Sequence, residues 1–306
     1  ALVTKVKNDR VEVLFKNKQK TNLYRSNLNI IKEKEFNFEN KFKIGDVLVL
    51  EFDESNNIFN LSQIPKVNGG MVVMDNRTGR VLAMIGGYDS SSSFNRSTQA
   101  KRQLGSSFKP IVYLTALENG YTPISKVLDA PFVVDDYSDK GVWRPTNYGD
   151  KFYGPSTLRL GIEKSRNLMT VRLSDQLGLD KISKVSLKLG VYEKFPNLIS
   201  SSLGSLESTL QKITAAYATI ANGGYKVEAN LIDVIYDSNG EVLYKADQRQ
   251  CLDCVVDNNL ISNPSALKRI TMIMIFHVIL FVMSTFVSLI SNCNQLSLTV
   301  VFYARV

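Results

Sequence analysis

A serine and a lysine have the types and the spacing that acyl transfer needs. In RQLGSSFKPIVY, residues 102–113, Ser106 precedes Lys109 by three positions where a glycine-bearing loop gives way to an apolar run. Positions i and i+3 of a helix share a face, so the Ser106 hydroxyl and the Lys109 amine can meet. A serine hydroxyl is a weak nucleophile near neutral pH. Lysine serves as its base only if burial or a neighbouring cation lowers the amine's pKa enough to free it. A helix start adds partial positive charge and free N–H groups that steady an oxyanion. The only histidine, His277, lies inside an apolar tail, so a serine nucleophile in this chain must use lysine. Spacing by itself does not decide the matter. Ser265 and Lys268 repeat it, and Ser-x-Asn occurs at Ser55/Asn57, Ser93/Asn95 and Ser165/Asn167. An isolated match reads more readily as an N-cap serine followed by a solvated lysine.

The elements around these residues give the pair a context. Residues 1–65 hold short alternating runs, VTKV, VEVLF and DVLVLEF, separated by polar clusters, the pattern of a small antiparallel β module. Its lysines line no evident aromatic platform, so a structural role is expected of it rather than nucleic-acid binding. A boundary falls at Pro65 to Gly70. GMVVMD and RVLAMIGG then flank Asn76-Arg77-Thr78-Gly79, a hairpin signal, and NLIDVIYD and EVLYK meet likewise at Ser238-Asn239-Gly240. Between the two hairpins, helical patterns are expected from Phe108 to Leu117 and over 156–164, 168–178, 180–189 and 207–221. Pro110 is tolerable within a first helical turn, where no intrahelical bond is lost. The second domain is therefore α+β with a helical cluster inserted after its first hairpin.

Composition bounds the remaining possibilities. With 306 residues, 44% of them hydrophobic, the chain is long enough for two cores. A formal net charge of +8 suits anionic surfaces without defining a fold. Cys251, Cys254 and Cys293 are too few for a disulfide framework, and a lone Cys-x-x-Cys without a nearby histidine makes a poor metal site; neither metal nor cofactor is expected. Residues 270–290 carry no charge and follow Lys268 and Arg269, which makes them a candidate membrane span or, alternatively, a buried element.

The order of several long segments is more specific than any spacing. RQLGSSFKPIVYLTALENGYTP, WRPTNY, YGPSTLRLGIEKSRNLMTVRLSDQLG and LGSLESTLQKITAAYATIANGG together resemble the transpeptidase domain of class A penicillin-binding proteins. QIPKVNGGMVVMDNRTGRVLAMIGGYD with FNRSTQAKRQ is similar to that family's lead-in. Enzymes of this kind combine Ser-x-x-Lys with Ser-x-Asn and Lys-Thr-Gly. The resemblance implies an OB-like β linker domain over 1–66, an incomplete transpeptidase domain of the penicillin-binding/serine β-lactamase-like α+β fold over 67–264, and a divergent apolar tail over 265–306. It makes Ser106 the acylated nucleophile, Lys109 its proton acceptor, Ser165 a proton relay to the leaving amine and Asn167 the group that holds the substrate amide and orients the lysine. Arg166 takes the variable middle position.

The resemblance further implies D,D-transpeptidation of peptidoglycan stem peptides at the extracytoplasmic face of the cytoplasmic membrane, with β-lactams as trapped mimics and no nucleic acid as partner. Lys-Thr/Ser-Gly is missing. Arg77-Thr78-Gly79 precedes the nucleophile in a turn, and Lys188-Leu189-Gly190 lacks the hydroxyl. The expectation is therefore an impaired enzyme, or alternatively a non-catalytic remnant or β-lactam-binding module. The chain is expected to be a piece of a longer protein whose last residues are out of frame, leaving the strands at 70–86 without neighbours and with exposed edges.

Overall fold

The computed structural model describes residues 1–32, 36–65, 67–88, 93–135, 142–247, 270 and 299–305. The chain divides into two compact units, Ala1–Val67 and Asn68–Val306.

In the first unit, β1 (Leu2–Val6), β2 (Arg10–Leu14) and β3 (Lys20–Tyr24) form one antiparallel sheet. After the one-turn helix α1 (Phe38–Lys41), capped by the Asn37 side chain, β4 (Val49–Asp53) and β5 (Ile58–Ser62) form a second. Val3, Val11, Val13, Leu23, Leu28, Phe38 and Phe42 make the core of this unit. The sequence pattern does not reveal β3. In KTNLY only Leu23 is buried, so no alternation is visible, and the strand exists because β2 pairs with it over five residues.

The second unit begins with the hairpin of β6 (Gly69–Asp75) and β7 (Val81–Ile85). Val72 and Met74 point into the core, as the period of two requires. The turn between the strands is built by Asp75, whose Oδ1 accepts from the Arg77 and Thr78 N–H groups at 2.8 and 2.9 Å. Arg77-Thr78-Gly79 therefore belongs to a turn. The expectation that this hairpin lacks a neighbour is corrected by the backbone. β16 (Thr299–Arg305) pairs antiparallel with β6 from Thr299↔Asp75 to Arg305↔Gly69, giving the order β16-β6-β7. The tail thus supplies a strand where none was expected, because β6 offers an unpaired edge that another strand can complete.

Chain order from β7 onward runs β8 (Arg102–Gln103), α2 (Lys109–Glu118), β9 (Lys126–Asp129), β10 (Val134–Asp135), β11 (Val142–Trp143) and β12 (Gly154–Thr157). It continues through α3 (Leu158–Glu163), α4 (Asn167–Leu177), α5 (Leu179–Lys188), β13 (Glu207–Ser208), α6 (Leu210–Ala221), β14 (Val234–Tyr236) and β15 (Val242–Lys245). Helix α2 is the centre of the core, with every residue from Lys109 to Leu117 buried. A helix buried all round needs no polar face, which is why its sequence reads as an apolar run. Helix α5 is the contrast: Ile182 and Ser186 are buried while its lysines are not, the mark of a surface helix. The expected helices at 156–164 and 207–221 start later than predicted because Thr157 and Thr209 are caps, accepting from the Leu160 and Lys212 N–H groups.

One buried serine ties the chain before Ser106 to the sheet. Ser97 Oγ donates to the Ile85 carbonyl at 2.6 Å, and its own carbonyl accepts from the Gln211 N–H at the start of α6. The segment leading to Ser106 is thereby anchored at Ser97 to both the sheet and α6.

Candidate active site

The stretch singled out by sequence forms a 3-10 turn, Gly105–Phe108, that runs directly into α2. Ser106 is exposed on that turn, and the Lys109 N–H donates to its carbonyl. The helix proper thus begins at Lys109 rather than at Ser106, with Pro110 in its first turn. Phe108 anchors the turn inward, its ring centroid 5.3 Å from Tyr192 and 5.8 Å from Phe195.

Distant segments hold the turn in place. β8 pairs antiparallel with β13, and the Gly105 N–H donates to the Gly204 carbonyl at 2.9 Å. Tyr217 of α6 donates its hydroxyl to the Ser107 carbonyl at 2.8 Å. Burial pushes the Tyr217 phenol well above its usual range, so it remains a donor at any working pH. Tyr217→Phe is expected to cost about 1 kcal/mol of stability by leaving that carbonyl without this donor, measurable as a lower urea midpoint.

Lys109 is buried where polar groups converge. It is 2% exposed, and its Nζ reaches the Ser165 carbonyl at 2.5 Å, Ser165 Oγ at 3.0 Å and Asn167 Oδ1 at 2.6 Å. Loss of hydration brings the amine's pKa down from 10.5 to about 8. The structure therefore brings Lys109, Ser165 and Asn167 into direct contact and places Ser106 one turn before the lysine.

Ser165 and Asn167 face the amine because of an unusual bend between α3 and α4. Ser165 has φ +49, a left-handed conformation that side chains rarely adopt, held by the Ser165 N–H donating to the Ile162 carbonyl at 3.0 Å. Next to it the Arg166 N–H bonds the Gly161 carbonyl at 2.9 Å, and α4 starts at Asn167. Asn167 Nδ2 donates to the Thr146 carbonyl at 2.8 Å, leaving Oδ1 for the lysine. Asn147 Oδ1 accepts from the Leu168 N–H at 3.2 Å and so serves one of the free donors at the start of α4.

Several supporting residues lie outside the two motifs. Asp129, Asn147, Gly204 and Tyr217 come from segments far from either motif, and Arg166 sits in the position that the motif leaves variable. The WRPTNY segment is legible as a unit, but nothing in its spelling says that Thr146 and Asn147 touch the Ser-x-Asn bend.

The arrangement joins a buried amine with a lowered pKa to a serine and an amide, one turn along from an exposed serine at a helix start. A family model for the penicillin binding protein transpeptidase domain matches residues 69–278. The chain belongs to the penicillin-binding protein transpeptidase family.

Its relatives agree. A penicillin-binding protein 1A of Rickettsia conorii is 48% identical over 220 residues, covering 71% of this chain and 28% of the relative. One of Rickettsia bellii is 40% identical over 264 residues, covering 86% and 33%. The crystal structure of penicillin-binding protein 1A from Haemophilus influenzae superposes with a TM-score of 0.71 at 29% identity, covering 80% of this chain and 36% of that one. These homologues support the class A resemblance, and the α+β fold is that of penicillin-binding transpeptidase domains. The chain spans a third or less of the length of the two Rickettsia relatives.

Other expectations fall elsewhere. The apolar run at 270–290, His277, all three cysteines and the Ser265/Lys268 pair lie, apart from Ile270, outside the described residues. Among the described residues no helix is long and apolar enough to cross a membrane, and no group of three or more His, Cys, Asp or Glu is placed to hold a metal ion.

Proposed function

We propose that this chain carries the acyl-transfer centre of a peptidoglycan D,D-transpeptidase, with Ser106 as nucleophile and Lys109 as base. The observation that carries the reading is the Lys109 amine, buried and shared by Ser165 and Asn167. In its neutral form an amine has two N–H donors and one lone pair. The Ser165 carbonyl and Asn167 Oδ1 can only accept, so they take the two N–H groups. The lone pair is left for a hydroxyl, either that of Ser165 or that of Ser106.

Acylation then balances as follows. Ser106 Oγ bonds to the penultimate D-alanyl carbonyl carbon of a stem peptide while its proton passes to Lys109 Nζ. As the C–N bond breaks, a proton returns through Ser165 Oγ to the leaving D-alanine amine. An amine of a neighbouring strand next attacks the ester, its proton is taken up by the same base, and Ser106 is released. Developing charge on the carbonyl oxygen is met by the Ser106 N–H in the 3-10 turn.

A β-lactam opens its ring at the same step, and its leaving nitrogen remains tethered, so the adduct persists. The site would face the periplasm, with stem peptides as substrate and β-lactams as inhibitors. Intact-mass analysis after exposure to penicillin tests the reading, with the adduct mapped by peptide digestion. A single adduct on Ser106 is expected, and its absence, or its appearance on another residue, overturns the assignment. Peptide turnover in a parallel assay separates a working transpeptidase from a module that is acylated and goes no further.

A further inference from the structure

We infer that Arg166, paired with buried Asp129, is a positioning residue that holds Ser165 and Asn167 against the Lys109 amine. The inference rests on the acyl-transfer reading of this site. Arg166 is the middle residue of the Ser-x-Asn bend, yet it is only 8% exposed and turns away from the site. Its Nη1 donates to Ser156 Oγ at 2.8 Å and pairs with Asp129 Oδ2 at 3.2 Å, while its guanidinium carbon lies 4.0 Å from the Tyr153 ring centroid. Ser156 and Asp129 belong to the paired strands β12 and β9. The side chain is therefore a strut from the bend to a two-stranded ribbon.

Asp129 grips the bend by a second route. It is fully buried at the end of β9, and its Oδ1 accepts from Asn147 Nδ2 at 2.7 Å. Asn147 in turn accepts from the Leu168 N–H, and its neighbour Thr146 accepts from Asn167 Nδ2. One carboxylate thus organises contacts on both sides of Asn167. A surface arginine in the variable position would need none of this; a buried one needs a counter-charge, and here the same carboxylate also holds Asn147 against the start of α4. The bend also has a reason to need a strut, since Ser165 sits at φ +49 and tends to relax without restraint.

Three variants test the inference. Arg166→Lys keeps the charge but loses the planar fork and the stacking. Arg166→Met leaves Asp129 unpaired, and Arg166→Met combined with Asp129→Asn leaves neither charge buried alone. Three quantities are read: the melting temperature, the penicillin acylation rate per folded molecule, and the titration midpoint of the Lys109 amine by NMR of ¹³C-labelled lysine, assigned with Lys109→Met. The double variant is expected to regain the melting temperature lost in Arg166→Met, yet to acylate roughly 10- to 100-fold more slowly than wild type. Its Lys109 midpoint moves up as the bend opens to water, and Arg166→Lys moves the same way. Wild-type rate and midpoint in either variant overturn the inference. If wild type itself is not acylated, the acyl-transfer reading fails and the midpoint alone decides: a rise in the variants supports the strut, and no change overturns it.

Discussion

Replacing Lys109 with methionine is expected to slow acylation of Ser106 by a β-lactam about 10²- to 10⁴-fold, the range that a positioned base contributes. Methionine keeps the length and most of the volume of the side chain, so α2 stays packed. What it removes is the amine between Ser165 and Asn167. The pH profile separates this cause from misfolding. With a pKa of about 8, the amine is mostly protonated at pH 7 and free above pH 8, so the wild-type rate rises with pH and levels off past that point. The variant has no such rise. Stability shows the same group from the other side. The folded pKa lies below the unfolded value of 10.5, so between about pH 8 and 10.5 the unfolded chain binds the extra proton, and wild-type stability increases with pH across that window. Below pH 8 the buried amine costs about 3 kcal/mol. Urea titrations at pH 7 and pH 10 are expected to show this gain in wild type and not in the methionine variant.

Gly204→Ala is expected to cost about 3–5 kcal/mol, far more than an ordinary glycine substitution. A Cβ there would lie 2.2 Å from the Gly105 carbonyl oxygen, 2.6 Å from its nitrogen and 2.9 Å from its carbonyl carbon. All three are backbone atoms of the turn that presents Ser106, so no side chain can swing aside. The residue also has φ +74, which an alanine adopts only at a cost. Gly190→Ala is the control, with φ +70 and open space around its Cβ position. It is expected to lose only about 1–2 kcal/mol. The comparison is made by urea denaturation, and equal losses at the two glycines would refute the clamp. Because the collision is with the turn that carries Ser106, folded Gly204→Ala is also expected to be acylated more slowly than folded Gly190→Ala.

What the sequence reveals, and what it hides, follows from where each signal resides. Helix α2 is legible because a helix buried on every side has an uninterrupted apolar spelling. The Asn76–Gly79 and Ser238–Gly240 turns are legible because positive φ at Gly79 and Gly240 demands a particular residue. Lys20–Tyr24 is hidden because its pairing, not its own alternation, makes it a strand. At the site, Ser106, Lys109, Ser165 and Asn167 are picked out only when the long flanking segments single out their two motifs among the repeats. Their support is not picked out even then. Asp129 and Asn147 meet the bend through tertiary contacts with no local periodicity, and an arginine between serine and asparagine looks like any solvated charge until its burial is known. The strand Thr299–Arg305 is hidden for a related reason: an edge partner is specified by β6 as much as by its own residues.

That last strand sets the order in which the molecule can assemble. The helices around α2 already join segments well apart, such as Tyr217 to Ser107, and β6 must wait for a partner more distant still, Thr299–Arg305. Closing so long a loop is slow relative to local packing. Until it closes, Gly69–Asp75 is a half-finished template with alternating buried residues, open to any passing extended segment. Dilution and low temperature during refolding therefore bear on yield through this edge.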